Sequence, residues 1–131
     1  MQVNNNVSVK ELNTFNIDVN AQRIITCQTL EEVLAAQKLI CDTPFLVLGG
    51  GSNVLFMNDY NGTIIRPEIV SIETLDETSE SVTLRIGAGV VWDDFVAYCV
   101  NNLLYGVENL SAIPGNVGAA PVQNIGAYGA E

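Results

Sequence analysis

The 131-residue sequence predicts an α+β fold, with an α/β-like alternation of elements, on three observations. Short β-branched runs alternate with two segments of helical spacing, which is typical of mixed architectures. Apolar residues make up 48% of the chain, which is enough to bury a core. No apolar run approaches the roughly 18 residues that a membrane span requires.

The N-terminal region predicts two strands after a polar leader. The stretch up to about Leu12 is polar, and we expect it to be frayed or loosely docked. Residues 14–18 and 23–27 are short, β-branched and bounded by polar residues, so we expect both to be strands.

A helix and an apolar strand follow. Thr29 and Glu32 have the spacing of a capping box, which predicts a helix that Pro44 prevents from continuing. Residues 45–48 are all apolar and stop at a glycine, which is typical of a buried central strand. Strand, helix and strand over this length predict a βαβ unit with a parallel pair.

The second half of the chain changes its pattern. Residues 63–66 are expected to be a strand, and residues 69–75 and 81–86 a hairpin with alternating side chains in its second arm. Apolar spacing over residues 92–103 predicts a second amphipathic helix. Residues 108–131 have neither a helical nor a strand period.

The change from a βαβ unit to a hairpin near Pro67 predicts two subdomains. Residues 1–66 would form the first, with the βαβ unit and further strands, and residues 67–131 the N-terminal part of the second. We expect the second subdomain to be truncated, because the long glycine-rich loop near its end needs further chain to pack against.

Charge and cysteine content exclude several classes of function. Five basic residues against fifteen acidic ones give a net charge of −10, which argues against nucleic acid or an anionic membrane as a partner. Arg66 and Arg85 are expected to be solvated strand ends.

Cys27, Cys41 and Cys99 form no CxxC pair, and no secretory signal is evident, so free thiols in a reducing cytoplasm are expected. Without histidine, a metal site is not expected.

The sharpest motif is the loop from Gly49 to Asn53, in which three glycines follow the predicted apolar strand. Consecutive amide N–H groups without Cβ atoms form a concave anion site. The loop lacks the lysine of a P-loop, and Val54 stands where a dinucleotide fingerprint starting at Gly49 needs its third glycine. A plain turn is the alternative, but Ser52 and Asn53 at the end of a strand favour phosphate binding.

Two further small-residue segments follow. Gly87–Gly89 separates a strand from a helix and is explained either as a turn or as a wall of the same anion site. In the third segment, the small residues 118–120 let main chain touch a flat ligand, and Gln123 and Asn124 offer donors and acceptors to its edges. A mere connection is the alternative, but apolar glycine-rich loops of this length are uncommon without a ligand or partner.

Together these motifs resemble the UDP-N-acetylenolpyruvoylglucosamine reductase family of flavoenzymes. The matching segments are residues 13–18, 48–55, 87–89 and 108–129, in that order, and the resemblance extends from about Asn13 to Glu131. Its last motif, which ends in Pro-Val-Gln-Asn-Ile-Gly-Ala-Tyr-Gly, is highly specific. The resemblance implies the FAD-binding fold of the vanillyl-alcohol oxidase and para-cresol methylhydroxylase type, with two subdomains that hold an extended FAD.

The resemblance also implies a set of cofactor-binding residues. The diphosphate would be held by Gly49, Gly50, Gly51, Ser52 and Asn53, and the adenosine-diphosphate side lined by Gly87 and Gly89. The ribityl and phosphate region would be wrapped by Ile113, Pro114, Gly115, Gly118 and Ala119, and the flavin edged by Gln123, Asn124 and Gly126. Some members of the wider superfamily have a flavin-linked histidine where this chain has Asn53, so non-covalent FAD is expected.

The reaction that the resemblance implies is the reduction of UDP-N-acetylglucosamine enolpyruvate to UDP-N-acetylmuramate in peptidoglycan precursor synthesis. NADPH would be the co-substrate, and the small-molecule nucleotide sugar the partner of a cytoplasmic protein that is a monomer when full-length. The family's serine, glutamate and arginine that act on the substrate lie beyond Glu131, so we expect no catalytic residue here and an inactive chain. The alternatives are another flavin oxidoreductase of the same superfamily, or a non-enzymatic acidic binding module.

Overall fold

A computed structural model describes residues 1–40 and 43–130, so Cys41 lies outside the described residues. The chain divides into two compact units, Met1–Ile69 and Val70–Glu131. The first unit contains a four-stranded sheet and one α-helix, and the second a two-stranded sheet and one α-helix. None of the helices in the described ranges is long and apolar enough to cross a membrane.

The sheet of the first unit is mixed. It contains β1 (Gln2–Ser8), β2 (Asn20–Cys27), β3 (Phe45–Val47) and β4 (Tyr60–Pro67), in the spatial order β1–β2–β4–β3. Strand β1 is antiparallel to β2, whereas β2 and β3 both run parallel to β4. The carboxyl ends of three strands therefore meet at one edge of the sheet, which is where ligands bind in open parallel sheets.

Helix α1 (Leu30–Lys38) begins at the predicted cap. The Glu32 amide donates to Thr29 Oγ1 at 3.3 Å, and the Gln28 amide donates to the Glu32 carboxylate at 2.7 Å. The N-terminal amino group of Met1 also pairs with Glu32. These contacts satisfy free amides of the first turn and tie the start of β1 to the helix.

Two expectations for the N-terminal region are wrong. The polar leader is not frayed: it is β1, whose backbone pairs with β2 from Gln2 opposite Thr26 to Ser8 opposite Asn20. Residues 14–18 form a turn and an irregular segment instead of a strand. In both cases the deciding hydrogen bonds join residues far apart in sequence, which local composition does not report.

The buried side chain of Asn13 explains the turn. Its Nδ2 donates to the carbonyl oxygens of Val9 and Ile17 at 2.8 and 3.1 Å, and its Oδ1 accepts from the Ile17 amide at 3.0 Å. One side chain therefore satisfies three backbone groups that a strand would have satisfied through a neighbour.

The prediction that residues 45–48 form a central strand is also wrong. Strand β4 lies between β2 and β3, so the βαβ crossover skips one position and leaves β3 at the edge. Phe45 and Val47 are 55% and 57% exposed, whereas Leu48 is buried. An all-apolar run marks a strand but does not tell a central position from an edge.

The two faces of this sheet carry separate apolar clusters. The face opposite α1 holds Val9, Ala21, Ile24, Leu48, Phe56 and Ile64. The face under α1 holds Ile25, Cys27, Ala36, Ile40 and Ile65. Neighbouring residues of β2 and β4 thus point to opposite faces, as strand geometry requires.

In the second unit, the predicted hairpin is present as β5 (Ile72–Glu77) paired antiparallel with β6 (Val82–Ile86). Helix α2 (Trp92–Asn101) packs its apolar stripe into a core that includes Phe95, Cys99 and Leu110. The Trp92 indole N–H donates to the Leu110 carbonyl at 2.8 Å. The rest of the unit is irregular apart from 3₁₀ turns at Glu108–Leu110 and Val117–Ala119.

Candidate functional site

The Gly49–Asn53 loop leaves β3 at the carboxyl edge of the sheet. Gly51 is buried with φ +66°, and a Cβ there would lie 2.0 Å from the Leu12 carbonyl oxygen. The Thr14 amide donates to the Gly51 carbonyl at 3.2 Å. The loop is therefore docked on residues 12–14, and only glycine fits both the backbone angle and the close approach.

The amide N–H groups of this loop are available to a ligand. Within the described ranges, the amides of residues 49–53 donate to no protein acceptor. Gly50 and Asn53 are exposed, and Gly49 and Ser52 are half-buried. A run of unpaired backbone donors on a fixed loop fits a phosphate group, because such donors attract an anion without needing a net positive charge.

Gly87–Gly89 and residues 115–118 are brought together in the second unit. The Gly118 amide donates to the Ala88 carbonyl at 3.1 Å, and the Trp92 amide donates to the Gly115 carbonyl at 2.9 Å. A Cβ on Gly118 would lie 2.6 Å from the Ala88 Cβ. Two of the three small-residue segments therefore form one continuous main-chain surface.

The remaining predicted residues extend this surface along the chain. Ile113 packs partly into the core, whereas Pro114 is exposed, and Ala119 accepts a backbone bond from the Gln123 amide at 3.0 Å. Asn124 is exposed with φ +52°. Exposed Gly126 follows, so the stretch offers carboxamide groups and bare main chain side by side. The Gly49–Asn53 loop belongs to the first unit and these residues to the second, so their convergence stays a prediction.

Asp93, in the first turn of α2, is a positioning residue that the sequence analysis missed. Its carboxylate accepts from the Ala112 amide at 2.7 Å and from the Ser111 hydroxyl at 2.8 Å. These two bonds, the amide first, hold the pKa of the Asp93 carboxyl below its ordinary value. Acidic residues are common in first turns, so nothing local distinguished this one from an ordinary cap.

The Asp93 clamp predicts a pH-dependent stability. Because the folded pKa is depressed, the clamp stabilises fully above the ordinary pKa of about 3.9 and is lost as the pH falls through the folded value. Asp93→Asn resembles the protonated carboxyl, so its Tm should lie below that of the unaltered chain at pH 7 and converge with it below about pH 4. Thermal melts across pH, with exposed Asp94→Asn as control, test this. A Tm difference that is independent of pH would contradict it.

A cavity of the second unit lies elsewhere. Its volume is about 600 Å³, and it is lined by the hairpin tip, β6, Phe95, Cys99 and residues 103–105 and 107. None of the predicted cofactor-binding residues lines it. Its lining combines apolar side chains with the polar hairpin tip. The glycine-rich main chain, with its unpaired loop amides, is the better candidate for a nucleotide cofactor.

Fixed, glycine-rich main chain on an α+β scaffold places the protein in the class of nucleotide-cofactor-binding domains. Residues 21–131 match the FAD binding domain family, and the chain belongs to this family. This membership confirms the FAD cofactor and, together with a structural match to a solved reductase, the predicted α+β FAD-binding fold.

The resemblance to the reductases is also confirmed. The chain is 52% identical over 121 residues to UDP-N-acetylenolpyruvoylglucosamine reductase of Bacteroides fragilis (strain YCH46), which covers 91% of this chain and 36% of that protein. The Escherichia coli (strain K12) reductase is 46% identical over 128 residues, covering 96% and 37%. The crystal structure of the Thermus caldophilus reductase (MurB) matches with a TM-score of 0.72 and 27% identity, over 98% of this chain and 44% of that one. The chain thus spans little more than a third of the curated relatives' length.

Proposed function

We propose that this chain is the FAD-binding part of an NADPH-dependent flavoenzyme that reduces UDP-N-acetylglucosamine enolpyruvate to UDP-N-acetylmuramate in peptidoglycan precursor synthesis. The observation that carries this proposal is the 52% identity to a reductase of that name, which extends over 91% of the chain. Membership of the FAD binding domain family supports the cofactor. The substrate would be a small nucleotide sugar, because the relatives are reductases of a UDP-sugar.

In this proposal the first unit holds the cofactor's diphosphate. The unpaired amides of residues 49–53 donate to the phosphate oxygens, and the contact of Gly51 with Leu12 keeps the loop in place. FAD, when bound, supplies hydride transfer between NADPH and the substrate. Asn53 offers no group for a covalent flavin link, so the cofactor is held non-covalently.

The second unit contributes main chain and carboxamides. Gly87 and Gly89 line the adenosine-diphosphate side, next to Gly118, whose amide donates to the Ala88 carbonyl. Gly115 follows in the same region, where its carbonyl accepts from the Trp92 amide. The ribityl region is wrapped by Ile113, Pro114 and Ala119, and the flavin is edged by Gln123, Asn124 and Gly126. The role of these residues is to bind and orient the cofactor.

Two physical properties support a cytoplasmic enzyme that has neither nucleic acid nor membrane as a partner. Burial raises the pKa of the Cys27 and Cys99 thiols, which keeps them protonated and unreactive, as suits a reducing compartment. The net charge of −10 opposes binding to polyanions. We propose that the full-length protein acts as a monomer.

Titration with FAD tests the proposal directly. The only tryptophan, Trp92, is buried in the second unit, so its fluorescence reports cofactor binding there. We expect saturable quenching and a higher Tm with FAD. The full-length protein is expected to oxidise NADPH when given the enolpyruvyl nucleotide sugar.

Other outcomes favour the alternatives. A folded chain whose Tm and fluorescence ignore FAD would contradict the proposal and favour an acidic binding module. A full-length protein that binds FAD but reduces only other acceptors would point to a different flavin oxidoreductase.

A further inference from the structure

Arg66, near the end of β4, is not the solvated strand end that the sequence suggests. Its side chain is only 26% exposed, and its Nε is buried without a hydrogen-bond partner among the described residues. Its Nη1 lies 3.0 Å from a Glu68 carboxylate oxygen. Arg85, by contrast, is 66% exposed and pairs with Glu73 at 3.1 Å, as expected of a solvated strand end.

The register of the sheet places Arg66 beside the glycine loop. Val47 of β3 lies opposite Ile65 of β4, and the Leu48 amide donates to the Ile65 carbonyl at 2.9 Å. One residue further along, Arg66 of β4 is level with Leu48, and the next residue of that chain segment is Gly49, the first residue of the loop. The two backbones are therefore separated by about one strand spacing, roughly 4.8 Å.

Arg66 also lies on the face of the sheet on which the glycine loop is docked. Ile64 packs with Leu48 on the face opposite α1, whereas Ile65 packs under α1. Because side chains alternate along a strand, Arg66 lies on the face of Ile64. Leu12, on which Gly51 docks, packs against the apolar cluster of that same face.

We infer that Arg66 binds a phosphate of the cofactor held by the Gly49–Asn53 loop. A buried guanidinium N–H without an acceptor is costly, and a phosphate oxygen would satisfy it while Glu68 orients the far end of the group. The planar guanidinium suits phosphate. A cation at the site also attracts the phosphate locally, although the net charge of the whole chain is −10. This inference rests on the proposed function, because the anion is the diphosphate of FAD.

Arg66→Met tests the inference, with Arg85→Met as a control that removes the same charge from an exposed strand site. The probes are FAD, riboflavin, which lacks phosphate, and inorganic pyrophosphate. Loss of a charge-assisted hydrogen bond predicts about tenfold to hundredfold weaker binding of FAD and pyrophosphate by Arg66→Met. Riboflavin affinity should be unchanged, and Arg85→Met should bind all three probes as the unaltered chain does.

Each result decides between the inference and the function. Equal FAD affinity in Arg66→Met and the unaltered chain, or equal losses for FAD and riboflavin, would overturn the inference and leave the function standing. Arg66-dependent pyrophosphate binding without FAD binding would show that Arg66 binds phosphate, but it would contradict the proposed function and the assignment of that phosphate to FAD. Binding of neither probe by the unaltered chain would overturn both.

A second variant guards against misfolding of Arg66→Met. Glu68→Gln keeps the arginine and an amide oxygen that can still accept from its Nη1, and it removes a negative charge that repels phosphate. We expect Glu68→Gln to bind pyrophosphate several-fold more tightly. A lower Tm with unchanged pyrophosphate affinity would mean that the pair is only structural, and would overturn the inference.

Discussion

Gly51→Ala is expected to lower the free energy of unfolding of the first unit by about 4 kcal/mol and to abolish FAD binding by its loop. A methyl group there would lie 2.0 Å from the Leu12 carbonyl oxygen, on a backbone held at φ +66°. The contact and the backbone angle both belong to the main chain, so no side-chain rotation relieves either of them. Urea unfolding followed by far-UV circular dichroism, together with an FAD titration, measures both effects.

Gly129→Ala separates the cost of a positive φ from the cost of the contact with Leu12. Its φ is +81°, but nothing lies within 4 Å of the added Cβ, so this variant carries the cost of the backbone angle alone. That cost is about 1–2 kcal/mol. If Gly51→Ala and Gly129→Ala lost the same stability, the contact with Leu12 would not be what requires glycine at position 51.

Gly118→Ala should destabilise the second unit by about 3 kcal/mol. The new Cβ would lie 2.6 Å from the Ala88 Cβ and 3.0 Å from the Ala88 carbonyl oxygen. The two segments that meet there would separate, and the Gly118–Ala88 hydrogen bond would be lost. Fluorescence of Trp92, in the same unit, follows this unfolding without interference from the first unit.

A double variant tests whether the contact with Ala88 is the reason for the glycine at position 118. Ala88→Gly removes the nearest of the three crowded atoms, so Gly118→Ala combined with Ala88→Gly should recover part of the lost stability. The two changes are therefore expected to be non-additive. Strictly additive losses would show that Gly118 is required for a reason other than its contact with Ala88.

The parts of the fold that the sequence predicted correctly are those with local causes. Helix α1 starts where Thr29 and Glu32 cap it, and the β5–β6 hairpin follows from alternating side chains on either side of a polar turn. Strand β1 has no such pattern, because β2 supplies its hydrogen-bond partners. The edge position of β3 depends on where β4 inserts, which no feature of residues 45–48 encodes.

The features of the candidate site likewise divide into those with a local cause in the sequence and those that depend on distant residues. The glycine loops were predictable because bare main chain is written directly into the sequence. The reason why position 51 requires glycine was not predictable, because it is the close approach of the Leu12 carbonyl, which is distant in sequence. Asn13 and Asp93 were missed for a related reason: each acts through backbone groups that only the folded chain brings near. The prediction that Arg66 is a solvated strand end was wrong, because a sequence does not report the burial of one guanidinium nitrogen.

Among the described residues, β3 is the last strand on one side of its sheet, which has a consequence for handling the isolated chain. Its outward N–H and C=O groups, flanked by Phe45 and Val47, are a template on which a second copy can add a strand. The contact would be only three residues long, about 10 Å, and every copy carries ten excess negative charges. Mutual repulsion therefore keeps copies apart in dilute buffer, whereas concentrated salt screens it and promotes self-association, so low ionic strength is the condition in which a monodisperse preparation is expected.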